Sequence, residues 1–304
     1  MPITYRPITP DEFDQFDIAE LRGFSAHPDS NPEIKAYSRR MFEPERSMVA
    51  FDGDQIVGTS GSFRFEISVP GGAMLPVGGT SHVTVSPTHR RRGILTRMMR
   101  RQIDGYRERG EPLAALWASE AVIYGRFGYG LAIAHERRQI DRRHTRFGHS
   151  PKIRGQVKFV DEHDAARVFA PIHERACKMF PGMIGRNDLW WEVALADPEG
   201  LRRKAPSFFH TYYEVDGEVT GYVIYRVRHD WNESLSNNTI AIYELVANDD
   251  EATAALWRFC FDIDLATTIT TGGGVAIDDG LIWMLTDPRR LLRKPYDGLW
   301  LRLV

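Results

Sequence analysis

The chain has 304 residues, of which 42% are hydrophobic and 11% aromatic, and its formal net charge is -2. This length suits two globular domains, and the even charge balance argues against a nucleic-acid binder, which usually carries a basic excess. No run approaches the roughly 20 apolar residues that a membrane-spanning helix needs.

The first predicted element is a helix that begins at Thr9 and continues towards Gly23. Thr9 is a suitable N-cap, Pro10 fits the first turn, and Glu12 completes a capping box. A second helix is predicted before Phe42, after a polar and irregular stretch.

Three strands follow in the sequence pattern. Asp52-Gly53, a typical hairpin turn, separates the first two, and a Pro-Gly-Gly turn separates the second from the third. The predicted strands are 47–51, 55–68 and 74–86. Gly78 and Gly79 inside the third strand indicate a bulge or the close approach of a ligand.

The third strand leads into the most informative stretch, SHVTVSPTHRRRGILTRMM, at residues 81–99. Val83 and Val85 alternate with polar residues as in a half-buried strand, and Pro87 ends the ladder. From Ile94 the apolar period becomes helical. The turn Arg90-Arg91-Arg92-Gly93 therefore opens directly into a helix.

This turn has the properties of an anion site. The first amides of a helix have no intrahelical partner and lie at the positive end of its dipole. Gly93 lets the backbone approach a ligand where a side chain would collide. The alternative is a solvated basic turn before an amphipathic helix, and the adjoining strand and the next segment count against it.

A second informative segment, SEAVIYGRFGYG, occupies residues 119–130. It follows a short apolar strand predicted at 112–118, so it should lie near the start of the helix that begins at Ile94. Its alternating aromatic residues and glycines suit close contact with a ligand, and ordinary packing is the alternative. Helix, antiparallel strands, loop-helix and strand together predict an α/β layer.

The second half of the chain repeats this order after a polar linker at 142–155. Helices are predicted at 162–180 and 188–196, and a hairpin around Asp216-Gly217 resembles the one around Asp52-Gly53. A strand at 240–245 and a helix at 253–261 follow. The loop between them carries Asp249, Asp250 and Glu251, which would repel a phosphate, so this half should bind none.

Three pieces of the sequence resemble the GNAT N-acetyltransferases of the enhanced intracellular survival (Eis) type. They are VTVSPTHRRRGIL, ASEAVIYGRFGYG and DGLWLRLV, in that order over nearly the whole chain. The resemblance implies an α/β (α+β) fold of two tandem GNAT-like units with mixed, mostly antiparallel sheets flanked by helices. Residues 1–145 would form the catalytic unit, and residues 146–304 a degenerate unit without coenzyme A.

The resemblance also implies the reaction and the residues that serve it. Acetyl-CoA would give its acetyl group to a primary amine of the aminoglycoside, lysine or polyamine type, with Tyr124 as general acid. Cofactor contacts would come from Val83, Thr84, Val85, Arg90, Arg91, Arg92, Gly93, Ile94 and Ser119. Candidate residues lining the acceptor cleft are Phe24, His27, Tyr37, Phe42, Glu66, His82 and Trp117. His82 departs from the family pattern, because the resemblance leads us to expect a Phe at this position.

The general base is left open by the sequence. In Eis-type chains the general base is the carboxylate of the last residue of a third, sterol-carrier-like domain. The given sequence does not include such a domain after DGLWLRLV. We therefore expect the native protein to be longer; otherwise His82, Glu66 or Glu120 would have to act. The resemblance also implies a homo-oligomer, a hexamer.

Two other functions compete with the enzyme. A GNAT scaffold could hold an acyl-CoA as a sensor without turnover, although Tyr124 favours the enzyme. A nucleic-acid or partner-binding module could use the basic face of the Arg-rich turn and its helix, but no aromatic residues are interleaved there.

Metal and membrane partners have no support in the sequence. Cys177 and Cys260 lie singly in apolar helical patterns, as buried free thiols do. The ten histidines are scattered and none is paired with a cysteine at ligand spacing. Since no apolar core of a signal peptide is present at the amino terminus, we expect a cytoplasmic protein.

Overall fold

A computed structural model describes residues 2–27, 32–202 and 205–304 of the chain. The chain divides into two compact units, the first formed by residues 1–69, 74–132 and 299–304 and the second by 70–73 and 133–298. Across the described ranges, no helix is both long enough and apolar enough to cross a membrane.

Each unit is built on a seven-stranded sheet with helices packed against it. The strands of the described chain are β1 (Thr4–Arg6), β2 (Val49–Asp52), β3 (Gln55–Ser68), β4 (Met74–Val85), β5 (Leu113–Trp117), β6 (Gly130–Leu131), β7 (Ala134–Asp141), β8 (Gln156–Phe159), β9 (Phe209–Val215), β10 (Glu218–Arg228), β11 (Trp231–Asn232), β12 (Leu235–Ser236), β13 (Asn238–Ala247), β14 (Ala266–Gly274), β15 (Leu292–Asp297) and β16 (Leu299–Leu303). The helices are α1 (Phe13–Gly23), α2 (Pro32–Met41), α3 (Ile94–Glu108), α4 (Ala121–Tyr124), α5 (Glu162–Met179), α6 (Asp188–Leu195), α7 (Glu199–Arg202), α8 (Asp250–Asp262) and α9 (Leu281–Met284).

The first sheet has the strand order β1-β2-β3-β4-β5-β16-β6. Its neighbouring strands are antiparallel except β4 and β5, which are parallel. Met99, Ile103 and Tyr106 of α3 pack on one face, whereas Phe13 and Phe16 of α1 pack on the other. These two apolar layers fix β4 and the ends of α1 and α3 relative to one another.

The second sheet, β8-β9-β10-β13-β14-β7-β15, has the same sequence of strand directions, with β13 and β14 as its parallel pair. Helix α8 contributes Leu256, Trp257 and Phe261 to the core on one face, and α5 contributes Phe169 and Ile172 on the other. The internal repeat inferred from the hairpin turns is present as a repeated sheet.

The division of the chain differs from the predicted cut after residue 145. Strand β7 lies in the second sheet beside β14, and β16 lies in the first sheet between β5 and β6. Each sheet thus takes its sixth strand from the other half of the sequence. A linear boundary cannot express this exchange, because strand pairing depends on tertiary hydrogen bonds rather than on proximity in the chain.

The sequence predicted a bulge or a ligand contact at Gly78 and Gly79, and this prediction was wrong. A Cβ atom at Gly78 would lie 2.3 Å from the ring of Tyr106, and one at Gly79 would lie 2.6 Å from the ring of Phe65. The two glycines therefore make room for aromatic rings that cover β4, and not for a bulge or a ligand. The bulge of this strand lies further along, at His82.

Candidate active site

The parallel strands β4 and β5 separate at their carboxyl ends. Their ladder consists of Val77 with Leu113, Gly78 with Ala114, and Gly79 with Ala115. Beyond it β4 continues from residue 80 to residue 85 without pairing to β5. The result is a gap in the hydrogen-bond ladder at the carboxyl edge of the sheet, which we call the opening; open α/β sheets bind ligands at this place.

A bulge in β4 shapes one wall of this opening. Thr84 pairs with Thr59 and Ser81 with Gly61, so two residues of β4 oppose one of β3, and His82 has φ of 56°. The Thr59 hydroxyl donates to the His82 carbonyl at 2.7 Å. Because a trans peptide group points its C=O and N–H in opposite directions, the Val83 amide points away from the Thr59 hydroxyl.

Helix α3 begins at this edge without a side-chain cap. Gly93 is the N-cap residue in a left-handed conformation, φ 76°, and the Arg97 amide makes a first helical bond to its carbonyl at 3.1 Å. A Cβ atom on Gly93 would meet no protein atom within 4 Å. The first amides of α3 therefore border open space at the positive end of the helix dipole, as an anion site requires.

The Arg90 side chain holds this turn in place. Its Nε donates to the Val85 carbonyl and its guanidinium also donates to the Gly23 carbonyl, both at 3.4 Å. The turn is thereby tied to the end of β4 and to the carboxyl end of α1. Arg91, with φ of 64°, and Arg92 are exposed. The predicted anion site thus combines backbone amides with two exposed guanidinium groups.

Tyr124 lies beside the opening on the α3 face of the sheet. Its side chain is only 5% exposed and belongs to the same apolar cluster as Met99, with Val83 and Leu95 packed against it. Burial raises the pKa of the Tyr124 phenol above its ordinary value, and a hydrogen bond with Ser119 partly opposes this shift. The phenol therefore stays protonated at neutral pH and can donate a proton.

Tyr129 is a close neighbour with a different environment. Its ring lies 6.2 Å from that of Tyr124, and its hydroxyl is 3.0 Å from the Thr80 hydroxyl, which also contacts Tyr106 at 2.7 Å. Burial raises its pKa strongly. The Tyr129 hydroxyl is thus engaged in a buried structural network.

The opposite face of β4 carries a histidine–carboxylate pair. His82 Nδ1 lies 2.7 Å from the Glu20 carboxylate of α1. Three phenylalanine rings surround the imidazole at centroid distances of 5.5–5.8 Å, those of Phe16, Phe42 and Phe63. Two of the residues predicted to line the acceptor cleft, Phe42 and His82, are therefore in contact.

The other predicted cofactor residues differ in how exposed they are. Thr84 is buried, its hydroxyl 2.7 Å from that of Thr59, and its side chain fills the space where Gly23 has no Cβ. Only its backbone can face the opening. Val85 packs against the cluster that contains Ile94, and Ser119 is exposed after β5.

The remaining predicted acceptor residues are more scattered. Trp117 is 57% exposed at the end of β5, Phe24 and His27 are exposed after α1, and Tyr37 is half-buried on α2. Glu66 pairs with Pro76, which at about 3.3 Å per residue lies about 20 Å along β4 from Val83. Glu66 is therefore not brought together with the others. The polar stretch 28–31 lies outside the described residues.

Sequence reasoning missed Glu20, Phe16 and Phe63 as partners of His82. Glu20 is 62 residues away in the chain, and its place on α1 gives no local indication of a histidine partner. Only the packing of α1 across β4 brings the two together.

The corresponding helix start in the second unit is occupied by the protein's own groups. The Asp249 carboxylate caps α8 by accepting from the Ala252 amide at 2.7 Å. Glu251 accepts from the Tyr213 hydroxyl at 2.6 Å and pairs with Arg154 at 3.0 Å. In the described ranges, no group of three His, Cys, Asp or Glu side chains is placed to hold a metal ion.

Comparison with known proteins adds independent findings. Residues 4–132 match one acetyltransferase (GNAT) domain family and residues 182–303 match a second acetyltransferase (GNAT) domain family. A protein of Streptomyces avermitilis named as an uncharacterized N-acetyltransferase is 36% identical over 305 residues, which cover 100% of this chain and 74% of that protein.

Two further relatives carry the Eis name. The N-acetyltransferase Eis of Mycobacterium tuberculosis is 33% identical over 287 residues, 90% of this chain and 67% of that protein. The crystal structure of Eis1 from Mycobacterium abscessus superposes with a TM-score of 0.82 at 32% identity, covering 99% of this chain and 73% of that one. With its two GNAT units and these relatives, the chain belongs to the Eis-type GNAT N-acetyltransferases, which are acetyl-CoA-dependent enzymes.

Proposed function

We propose that the first unit transfers the acetyl group of acetyl-CoA directly to a primary amine, with Tyr124 as general acid. The observation that carries the proposal is the position of Tyr124, a buried phenol packed with Val83 and Leu95 beside the strand opening. It lies at the junction of the parallel strands and the uncapped helix, where a thioester and its pyrophosphate would be held together.

Acetyl-CoA fits the residues that border this opening. The amides after Gly93 and the exposed guanidinium groups of Arg91 and Arg92 would bind the pyrophosphate, since the space in front of Gly93 is open. The free edge of β4, residues 80–85, would pair with the pantetheine amides, with Val83 and Val85 as backbone partners. Ser119 would contribute by holding the Tyr124 hydroxyl.

The chemistry needs few protein groups. The deprotonated amine attacks the thioester carbon, and the Val83 amide would stabilise the developing oxyanion. The N–C bond forms, the C–S bond breaks, and the Tyr124 phenol gives its proton to the departing thiolate. The acylated nitrogen then loses one proton to solvent, and the Tyr124 phenolate takes one back from solvent. General-acid catalysis of this kind commonly contributes about 10²–10⁴-fold.

The acceptor is proposed to be a cationic amine of the aminoglycoside, lysine or polyamine type. Helix α1 presents two carboxylates one turn apart, Asp17 and Glu20, and Glu20 reaches the acceptor face of β4. These charges would attract an ammonium group. Release of free coenzyme A thiol, measured across a panel of aminoglycosides, polyamines and lysine peptides, tests the proposal. Absence of amine-dependent thiol release with every member would refute it.

A sensor that binds acyl-CoA without turnover is the second candidate, because the helix start and the strand opening serve binding as well as catalysis. It predicts tight binding of acetyl-CoA with no thiol release under any amine. The burial of Tyr124 as a protonated phenol favours the enzyme, since simple binding does not need a proton donor there.

The second unit is proposed to bind no coenzyme A. Its parallel strands are paired as far as Glu244 with Gly274, and its helix start is capped by Asp249. Calorimetric titration should therefore give one acetyl-CoA per chain, and a stoichiometry of two would refute this assignment. A homo-oligomer remains part of the proposal, and light scattering on the purified protein tests it.

A further inference from the structure

We propose that Arg302 positions Tyr124 for proton transfer by holding the turn that follows this residue. The inference deepens the proposed function and rests on it, because it concerns the general acid of that reaction. It also gives a chemical role to the strand that carries DGLWLRLV, one of the three pieces that resemble the Eis-type enzymes.

Strand β16 brings Arg302 to the face of the sheet on which Tyr124 lies. It pairs with β5 on one side and with β6 on the other, so that Arg302 lies opposite Ala114 and Trp300 opposite Leu131. Trp300 packs against the apolar cluster that contains Tyr124. Because alternate residues of a strand share a face, Arg302 lies on the same face, two residues further along.

Two backbone carbonyls fix the Arg302 guanidinium. Its Nη1 donates to the Phe127 carbonyl, and its Nε donates to the Leu303 carbonyl at 2.9 Å. A Cβ atom on Gly128 would lie 3.5 Å from Nη1, so the guanidinium is also close to the backbone of the next residue. The arginine thus joins β16 to the turn behind Tyr124.

The Phe127 carbonyl ends the short helical segment that contains Tyr124. Tyr124 is the last residue of α4, and the 3₁₀ turn Gly125–Phe127 continues directly from it. Gly128 closes the turn in a left-handed conformation, φ 82°, and its amide donates to the Gly125 carbonyl at 3.0 Å. The last carbonyls of a helical segment lack partners within it and form its negative end, so a guanidinium is a well-matched cap there.

This segment has little else to hold it. Helix α4 has only four residues, and its N-cap, Glu120, makes no side-chain capping bond. Among residues 119–128 only Tyr124 and Phe127 are buried, and Val122 is 89% exposed. The backbone around Tyr124 is therefore anchored through two buried rings and through the carbonyl that Arg302 binds.

Arg302 acts on distance rather than on acidity. Burial is the largest cause of the raised pKa of Tyr124, and Ser119 and Glu120 are the groups that modify it. Burial also raises the pKa of Tyr129, and there the charge of Arg302 opposes the shift. Arg302 is thus a positioning residue, which sets how closely the Tyr124 hydroxyl approaches the departing sulfur. A misplacement of about 1 Å can cost about 10²-fold in rate.

The test is a double-mutant cycle, assayed by thiol release with an amine that wild type accepts. Arg302→Met keeps an unbranched apolar stem and removes the donors, whereas Arg302→Lys keeps the charge and one donor group. Each substitution is made in wild type and in Tyr124→Phe. Arg101→Met is the matched control, because Arg101 Nη1 also donates to a backbone carbonyl of the first unit, that of Tyr5, at 2.8 Å.

We expect Arg302→Met to lower kcat about 10-fold, with the Kd for acetyl-CoA unchanged within about twofold. Arg302→Lys should recover part of this loss, and Arg101→Met should keep the wild-type kcat. In the Tyr124→Phe background neither Arg302 substitution should lower kcat further, because the acid that Arg302 positions is already absent. The alkaline limb of the kcat profile should stay at its wild-type pH in Arg302→Met, since burial and not Arg302 sets the pKa of Tyr124.

The outcomes separate the positioning from the reaction. A wild-type kcat in Arg302→Met, or a loss of the same size with and without the Tyr124 hydroxyl, would show that Arg302 does not act through Tyr124, while the acetylation stands. Should Arg302→Met fail to fold, Arg302→Lys completes the same cycle, and no loss, or equal losses in both backgrounds, overturns the proposal. If Tyr124→Phe alone keeps the wild-type kcat, the general acid fails and its positioning fails with it. If wild type releases no thiol with any amine, the proposed function itself fails.

Discussion

The two units share one sheet topology but differ where a ligand would enter. In the first unit β4 runs from residue 80 to 85 beyond its last pair with β5, whereas in the second β13 stays paired with β14 as far as Glu244. Helix α3 begins at Gly93 without a side-chain cap, whereas α8 is capped by Asp249.

This difference bears directly on the proposed binding site. The first unit has a strand stretch without a parallel partner and a helix start without a side-chain cap, and we propose that a ligand binds to the backbone of both. In the second unit the parallel pairing extends further and the helix start is capped by Asp249. In the second unit, β14 lies so close to β13 that glycine is required, because a Cβ at Gly274 would lie 2.2 Å from the Tyr243 carbonyl oxygen.

The largest expected effect comes from closing the helix start of the first unit. Gly93→Val should raise the Kd for acetyl-CoA about 100-fold or more, because two lost hydrogen bonds to phosphate are worth about 3 kcal/mol. Isothermal calorimetry measures this. Gly110→Val is the matched control, since Gly110 also has positive φ, 71°, and open space, but lies at the other end of α3.

An equal loss of affinity in both glycine variants would show that backbone strain causes the effect. An unchanged Kd in a folded Gly93→Val protein would show that this turn does not bind the phosphate.

The next effect concerns Tyr124, the proposed proton donor beside the strand opening. Tyr124→Phe keeps the buried ring, so stability should barely change, while kcat should fall about 10²-fold with little change in acetyl-CoA affinity. Steady-state kinetics by thiol release measures the loss. A normal kcat in Tyr124→Phe would contradict the assignment.

Tyr129→Phe controls for the loss of a hydroxyl in the same cluster. Its hydroxyl contacts Thr80, so the expected cost is about 1 kcal/mol of stability and little of kcat. A comparable fall of kcat in both variants would mean that the aromatic cluster, rather than one phenol, supports catalysis.

A smaller effect should follow from opening the helix start of the second unit. Asp249→Ala removes the cap on α8 and should lower the free energy of unfolding by about 0.5–2 kcal/mol, as measured by urea denaturation. The Kd for acetyl-CoA should not move. Asp250→Ala, one residue along and inside the helix, should cost less because only its interaction with the helix dipole, about 0.3–1 kcal/mol, is lost.

A cost from Asp250→Ala equal to that from Asp249→Ala would show that charge, and not the capping bond, stabilises this end. A second acetyl-CoA bound by Asp249→Ala would show that the cap alone had kept the ligand out.

The smallest expected effect is a pH dependence at the same helix. The hydrogen bond from Tyr213, followed by that from the Arg154 amide, lowers the pKa of Glu251 from 4.5 to about 2. A carboxylate with a lowered pKa stabilises the fold above its unfolded value and loses that contribution as pH falls.

The difference in unfolding free energy between wild type and Glu251→Gln should therefore be present at neutral pH and shrink between pH 4.5 and about pH 2. Urea denaturation across this range measures it. A difference that stays constant with pH would mean that the Glu251 charge plays no part.

Much of this architecture followed from local patterns. The bounds of β3, the helix after Gly93 and the helix of residues 162–179 agree closely with the predicted segments, because turns, caps and apolar periods act within a few residues. The Arg-rich turn and the Tyr124 segment were also found this way, and their resemblance to the Eis-type enzymes is confirmed by the relatives.

The sequence by itself thus determined the repeated α/β units and the family, and it indicated the helix start as the proposed anion site, since each depends on short-range chemistry. Only the tertiary structure decided the exchange of β7 and β16, the separation of β4 from β5, and the pairing of His82 with Glu20. Each of these joins groups that are far apart in the chain, and their contact depends on how whole layers pack rather than on any local spacing.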